Sequence, residues 1–266
     1  MNFILNADDY ACSPEVDAAV IDLAGRGVVT ATSAMVLSPR WPAAARRLDG
    51  VKLDAGLHLD FTSASNAAPQ PVSRLIARSW LGMLEREAVR KHIVGQCDRF
   101  EAAMGRPPVF VDGHEHVHQF PLIRALLTET LATRYGANAP FVRVCRPRCW
   151  RGLKAAIIGA LGAEVLASLL AENNIAGNTD FAGVYDLRAG ADLPGLWRGW
   201  LSGLAGPRPL LMCHVAMPTA TPSAEARSDT IFAARLAEYA WLASRDFNQL
   251  CTDLDMQPVR WAAAVH

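Results

Sequence analysis

Phe3-Ile-Leu-Asn6-Ala-Asp8-Asp9 is a short apolar run that ends on two adjacent acids, and Ser13-Pro14-Glu15 follows within a few residues. Ser at an N-cap with Pro at the first helical position is a helix start. Val16, Ala19, Val20 and Leu23 then recur at helical spacing until Gly25 and Gly27 end the pattern. A strand, a polar strand end and a helix therefore occupy the first stretch, and the same unit recurs outward from it. Val28–Leu37 reads as a strand and Trp41–Leu48 as a short helix. Leu53–Leu59 is the next strand, followed by a Ser-, Ala- and Pro-rich loop from Thr62 to Ser73 that, within 62–80, is a candidate lid. Leu81–Met104 is a long helix, Pro108–Asp112 a strand, Leu122–Arg134 a helix and Phe141–Val144 a strand. Leu153–Leu170 is an apolar helical stretch; Phe181–Tyr185 and Pro209–Cys213 are strands around a helix at Leu193–Leu204. Ala224–Leu242 is the last long helix, and Val259-Arg-Trp closes the set.

Alternation of this kind implies a parallel sheet covered by helices. The expected fold is α/β: a distorted (β/α) TIM-like barrel of seven or eight parallel strands, in a single domain over residues 1–266. An open doubly wound sheet is the alternative, and no glycine-rich dinucleotide fingerprint follows the first strand. The chain has 26 Lys+Arg against 26 Asp+Glu, with 51% apolar and 20% charged residues. That balance gives no reason to expect nucleic acid, whose phosphates call for a basic surface, and argues against wholesale disorder. No run reaches the ~20 apolar residues needed to span a bilayer, and the N-terminus does not read as a signal peptide. The six cysteines form no CxxC pair and read as reduced thiols, so a cytoplasmic protein is expected.

In a parallel barrel the working face is the carboxyl end of the strands. Asp8-Asp9 stands at the first such end and His58, with Asp60 beyond it, at the third. Asp112-Gly-His114-Glu115-His116-Val-His118 stands at the fourth, Arg143 on the fifth and Cys213-His214 near the end of the chain. Each has a plain structural reading: adjacent acids cap turns, His58 between two leucines can be a hydrogen-bonded core residue, and Arg143 can pair with a carboxylate. Together they suit a divalent cation, because an Asp-His-His set with open positions is a zinc-type catalytic site that also tolerates other metals. A second carboxylate beside the first suits a general base in hydrolysis. Consecutive residues cannot both point one way on a regular strand, so one acid as ligand and the other as base is the natural division.

Asn6-Ala-Asp-Asp-Tyr10, Gly56-Leu-His-Leu-Asp-Phe-Thr62, Asp112-Gly-His-Glu-His-Val-His118 and Leu211-Met-Cys-His214 resemble the motifs of the YdjC/ChbG-type carbohydrate deacetylases, in order and spacing. That family includes hopanoid-biosynthesis-associated deacetylases, and the resemblance runs from residue 2 to at least 243. It implies a distorted barrel, one divalent metal ion (Mg²⁺ or Zn²⁺) and removal of the acetyl group from an N-acetylated sugar, as a chitooligosaccharide or an acetylglucosaminyl lipid. By motif, Asp9, His58 and His114 would be the metal ligands and Asp8 the general base. His214 would stabilise the transition state or donate a proton to the leaving amine. Arg143 would bind substrate or orient Asp8, and His118 and Asp60 would contribute to substrate binding. Three departures stand out: Tyr10-Ala11 replaces the usual Phe-Gly, His214-Val215 the usual His-Pro, and Glu115 a small residue. Another barrel metallohydrolase such as a phosphoesterase, and a non-catalytic metal- or sugar-binding protein, are the alternative readings. Apolar area at Trp197 and Trp200 is compatible with a homodimer.

Overall fold

The computed structural model describes residues 1–265. In chain order the elements are β1 (Asn2–Tyr10), α1 (Pro14–Gly25), β2 (Ala31–Ala34), α2 (Trp41–Arg46), β3 (Asp54–Leu59), α3 (Val72–Trp80) and α4 (Arg86–Met104). There follow β4 (Phe110–Gly113), α5 (Ile123–Tyr135), β5 (Phe141–Val142), α6 (Leu153–Ala160), α7 (Ala163–Glu172), β6 (Asp180–Ala182) and α8 (Leu193–Ser202). The chain continues through β7 (Pro209–Cys213), α9 (Ala224–Ser228), α10 (Phe232–Leu242), α11 (Arg245–Asp253) and β8 (Gln257–Pro258).

Seven strands pair in the order β5-β4-β3-β2-β1-β7-β6, all parallel, and β8 pairs the start of β1. The two ends of this curled sheet approach each other. Val142 forms a single parallel bridge to Gly177, just before β6. Asn178 then stands in for backbone, its Oδ1 accepting from Val144 N–H at 2.6 Å and its Nδ2 donating to Val144 C=O at 2.8 Å. One side-chain amide thus completes the ring where regular pairing stops, because those backbone groups would otherwise be buried without partners. The fold is the distorted α/β barrel that the alternation implies.

Ile4, Phe110, Phe181, Leu210, Met212 and Trp261 fill the barrel interior. Trp261 stacks on Phe110 and Phe141 at 5.2 and 5.3 Å, and its backbone N–H donates to Asp54 Oδ2 at the amino end of β3. The Phe110 ring crosses so close to Gly56 that a Cβ there would lie 2.4 Å from it. That explains the glycine two residues before His58.

Several boundaries differ from expectation. The helix expected from Leu81 begins at Arg86, where the Glu85 carboxylate caps the amides of Glu87 and Ala88. Part of the expected loop is α3, so only residues 62–71 of the candidate lid are irregular. The apolar stretch at 153–170 is two helices bent by 44°, broken where Gly162 takes φ +129°. The expected helix at 224–242 is α9 and α10, and α11 beyond it was unexpected: its apolar positions are too few to announce a helix. Trp197 and Trp200 are buried, packed against Phe247 and Tyr185, so they offer no apolar face for a dimer.

Candidate metal centre

β1 carries both acids to the same place by breaking its own regularity. Its register against β2 slips between Ala7 and Tyr10, and Asp9 adopts φ +67°. A bulge of this kind re-aims side chains, and a left-handed non-glycine residue is a strained arrangement of the sort found at functional sites. The two carboxylates, which would alternate on a flat strand, therefore both line one cavity of about 660 Å³ above the strand ends. His58, His114, His116 and His214 line it too.

Asp9 Oδ1 lies 3.4 Å from His58 Nε2 and 3.0 Å from His114 Nδ1, and the three donor atoms all fall within 4.8 Å of one another. Ligands about 2.1 Å from one tetrahedral ion sit roughly 3.4 Å apart, so these separations suit a zinc-sized cation. His58 is aimed by Asp112, whose Oδ1 meets Nδ1 at 2.6 Å; this is the carboxylate–histidine arrangement that fixes a metal-binding ring. Burial opposes a charge on His58, but Asp112, Asp9 and Asp8 outweigh it and raise its pKa to about 10. His114 is likewise raised: burial works against the imidazolium and Asp9 overrides it. Surroundings negative enough to hold a proton on buried imidazoles also attract a cation.

Each acid is held by its own arginine. Arg143 grips Asp8 with both terminal nitrogens, at 2.8 and 2.6 Å, and also meets Asp112 Oδ2 at 2.5 Å. Asn6 Nδ2 donates to Asp8 Oδ1 at 2.6 Å, and Ser33 Oγ donates to Asp112 at 2.5 Å. Arg235 Nη2 donates to Asp9 Oδ2 at 2.6 Å, leaving Oδ1 for the histidines, while its Nε donates to Asp229. Burial alone would raise both acids; Arg143 holds Asp8 and Arg235 holds Asp9 well below the usual carboxylate range. A second cluster of possible donors, Asp8, His58 and Asp112, is fully buried and its two carboxylates are already paired with Arg143.

Of the other expected site residues, His214 lines the cavity with its backbone N–H on Glu238 Oε2 and no partner for its Nδ1. Burial lowers its pKa to about 4. Arg143, His118 and Asp60 do not reach the cavity. Arg143 has no exposed surface and is spent on Asp8 and Asp112, which leaves it the orienting role. His118 is equally buried, its Nε2 on the Arg143 carbonyl at 2.9 Å, and Gly113 leaves room for it: a Cβ there would lie 3.0 Å from the ring. Asp60 is turned into the loop that follows it, accepting from the amides of Thr62 and Ser63 and from the Ser63 hydroxyl. None of these three is among the residues lining the cavity. Asp112, Arg235 and Glu238 went unassigned on sequence. The last two are ionisable residues on the buried face of α10, one turn apart, and that pattern was the available signal.

A profile of the family described as YdjC-like protein matches residues 2–253. The chain belongs to the YdjC-like family. Chitooligosaccharide deacetylases from Yersinia pestis (strain Pestoides F) and Yersinia pseudotuberculosis serotype O:1b (strain IP 31758) are each 30% identical over 143 residues. Those matches cover 47% of this chain and 53% of each relative, so the chain spans about half the length of the curated relatives it matches. A solved protein from Enterococcus faecalis V583, provisionally described as a cellobiose-phosphate cleavage protein, superposes with a TM-score of 0.74 at 18% identity, covering 98% of both chains. That likeness gives this YdjC-like chain the same fold. Ala11 is left-handed, φ +73°, a conformation that favours glycine, and Glu115 and His116 are left-handed as well.

Proposed function

We propose that the protein is a metal-dependent hydrolase that removes the acetyl group from an N-acetylglucosamine-containing substrate. The observation that carries this reading is the bulged end of β1, which brings Asp9 to two imidazoles while leaving Asp8 beside them, hydrogen-bonded to Arg143 and Asn6 rather than to a histidine. The names of the Yersinia relatives support the same chemistry. Asp9, His58 and His114 would hold the cation, and two nitrogen donors favour zinc over magnesium. When bound it would polarise the acetamide carbonyl and make a water molecule more acidic.

The chain's own groups supply the rest. Asp8, locked in orientation by Arg143, accepts a proton from the water that attacks the carbonyl carbon. Because Arg143 makes Asp8 a weak base, Asp8 gives that proton up readily, and it passes to the leaving nitrogen as the C–N bond breaks. The products are acetate and a free amine. His214, neutral at pH 7, offers a hydrogen bond to the reacting group rather than a charge. The phosphoesterase alternative calls for several free cations near a phosphate; Arg143 and Arg235 are both committed to carboxylates, which leaves Lys154, bonded to the Tyr185 carbonyl, to serve alone. Incubation with di-N-acetylchitobiose tests the reading: chelator-sensitive acetate release is expected, and release that a chelator leaves untouched contradicts it.

A further inference from the structure

The outer rim of the cavity carries apolar surface that the fold leaves uncovered. α3 sends Val72 and Ile76 into the cavity wall and runs out through Trp80, Leu81 and Met83, which are 45%, 72% and 61% exposed. α6 behaves alike: Lys154 and Ile158 line the cavity, while Leu153 and Ile157, each one position earlier, are 68% and 52% exposed. The turn between α3 and α6 joins these surfaces. Phe120 lines the cavity and meets Trp80 edge-on at 5.5 Å, and the Gln119 amide donates to the Ile158 carbonyl at 3.2 Å. Contiguous apolar surface of this kind, beside a cavity, marks an interaction site.

Its flanks are cationic. The chain as a whole is neutral, yet residues 61–84 and 130–163 contain no Asp or Glu. Arg74, Arg146, Arg148 and Lys154 stand exposed along them, and among the described residues only Arg146 of these has a carboxylate partner, Glu164. No single helix among those residues is long and apolar enough to cross a bilayer. The bent pair α6–α7 is pinned to the body through Ala155, Ala163, Leu166 and Leu170.

We propose that this rim seats the protein on the surface of an anionic phospholipid bilayer, with the side chains of Trp80, Leu81, Met83, Leu153 and Ile157 at the boundary of headgroups and acyl chains. A bilayer offers negative charge and an apolar interior together, which is the complement of a tryptophan and aliphatics flanked by basic residues. A second copy of the chain fits less well. In a two-fold contact the patch would meet itself, setting Arg74 and Lys154 against like charge, which the exposed Glu115 at the cavity edge offsets only in part. The proposal rests on the surface alone and is independent of the reaction.

Co-sedimentation with vesicles tests it, using equal parts phosphatidylglycerol and phosphatidylcholine against pure phosphatidylcholine. The intact chain should pellet with the anionic vesicles, less so without phosphatidylglycerol and less so in high salt. Leu153→Asp with Ile157→Asp should lower partitioning on the order of 100-fold, since two aliphatic side chains no longer leave water. Arg74→Gln should lower it roughly fivefold. All three positions are exposed, and an unchanged melting curve verifies the fold of each variant. Failure of the intact chain to pellet with anionic vesicles overturns the proposal, as does equal pelleting of the intact chain and the aspartate variant. Sedimentation velocity on the same samples covers the rival: a dimer split by the aspartate pair, with no vesicle binding, assigns the face to a second copy.

Discussion

Replacing Arg143 with methionine probes the electrostatic centre of the barrel. The guanidinium has no exposed surface and answers two carboxylates, Asp8 through two contacts and Asp112 through one. Methionine fills similar volume but leaves both acids buried without their cation. Breaking a buried pair in this one-sided way costs about 3–5 kcal/mol, which in a domain of this size lowers the melting temperature on the order of 10 °C. Asp8→Asn in the Arg143→Met background removes one of the stranded charges. The second substitution should therefore restore stability, with a coupling of roughly 2 kcal/mol or more between the sites. Urea unfolding of the wild type, both single variants and the double variant, followed by circular dichroism, measures the cycle. Strictly additive losses, or a loss below about 1 kcal/mol for Arg143→Met, would refute the assignment of Arg143 as the holder of Asp8.

Three further outcomes follow from the same geometry. Asp112→Asn should weaken zinc affinity about 10–100-fold by calorimetric titration, because His58 loses the group that aims it; unchanged affinity would remove Asp112 from the site's support. Glu238 is buried, bonded to the Tyr185 hydroxyl and the His214 amide, and burial pushes its carboxyl up to about 8. Between its unfolded value near ~4.3 and 8, the folded chain keeps a proton that the unfolded chain has released, so stability falls by roughly 1.4 kcal/mol per pH unit across that window. Glu238→Gln should flatten this fall and be the more stable protein at alkaline pH; parallel stability–pH curves would contradict it. Ala11→Gly should be neutral or stabilising by up to about 1 kcal/mol, since glycine bears φ +73° without strain; a loss above that figure in thermal melts would show that the alanine methyl packs usefully.

The parallel barrel and the donors facing its carboxyl end were legible in the sequence because both depend on local order: an apolar run, then a polar strand end, then a helix. The unequal fates of Asp8 and Asp9 were only half legible. Alternation requires the two to diverge, and it takes the register slip at Ala7–Tyr10 and the left-handed Asp9 to bring both into one cavity. Supporting groups were illegible for a different reason. Arg235 meets Asp9 across 226 positions of chain and Arg143 meets Asp8 across 135, so no local window contains either pair. Helix ends slipped where a side chain decides the boundary, as Glu85 does for α4. His118 and Asp60 look like site residues by spacing, yet their partners are a backbone carbonyl and a loop.

The central claim is that Asp9, His58 and His114 hold the cation while Asp8 handles the proton. Metal content and acetate release from di-N-acetylchitobiose, measured on the same preparations of wild type, Asp8→Asn and His114→Ala, separate the two roles. The account predicts that Asp8→Asn keeps its metal and releases no acetate, whereas His114→Ala loses both. An Asp8→Asn protein that turns over at the wild-type rate, or a His114→Ala protein with undiminished metal, would contradict it.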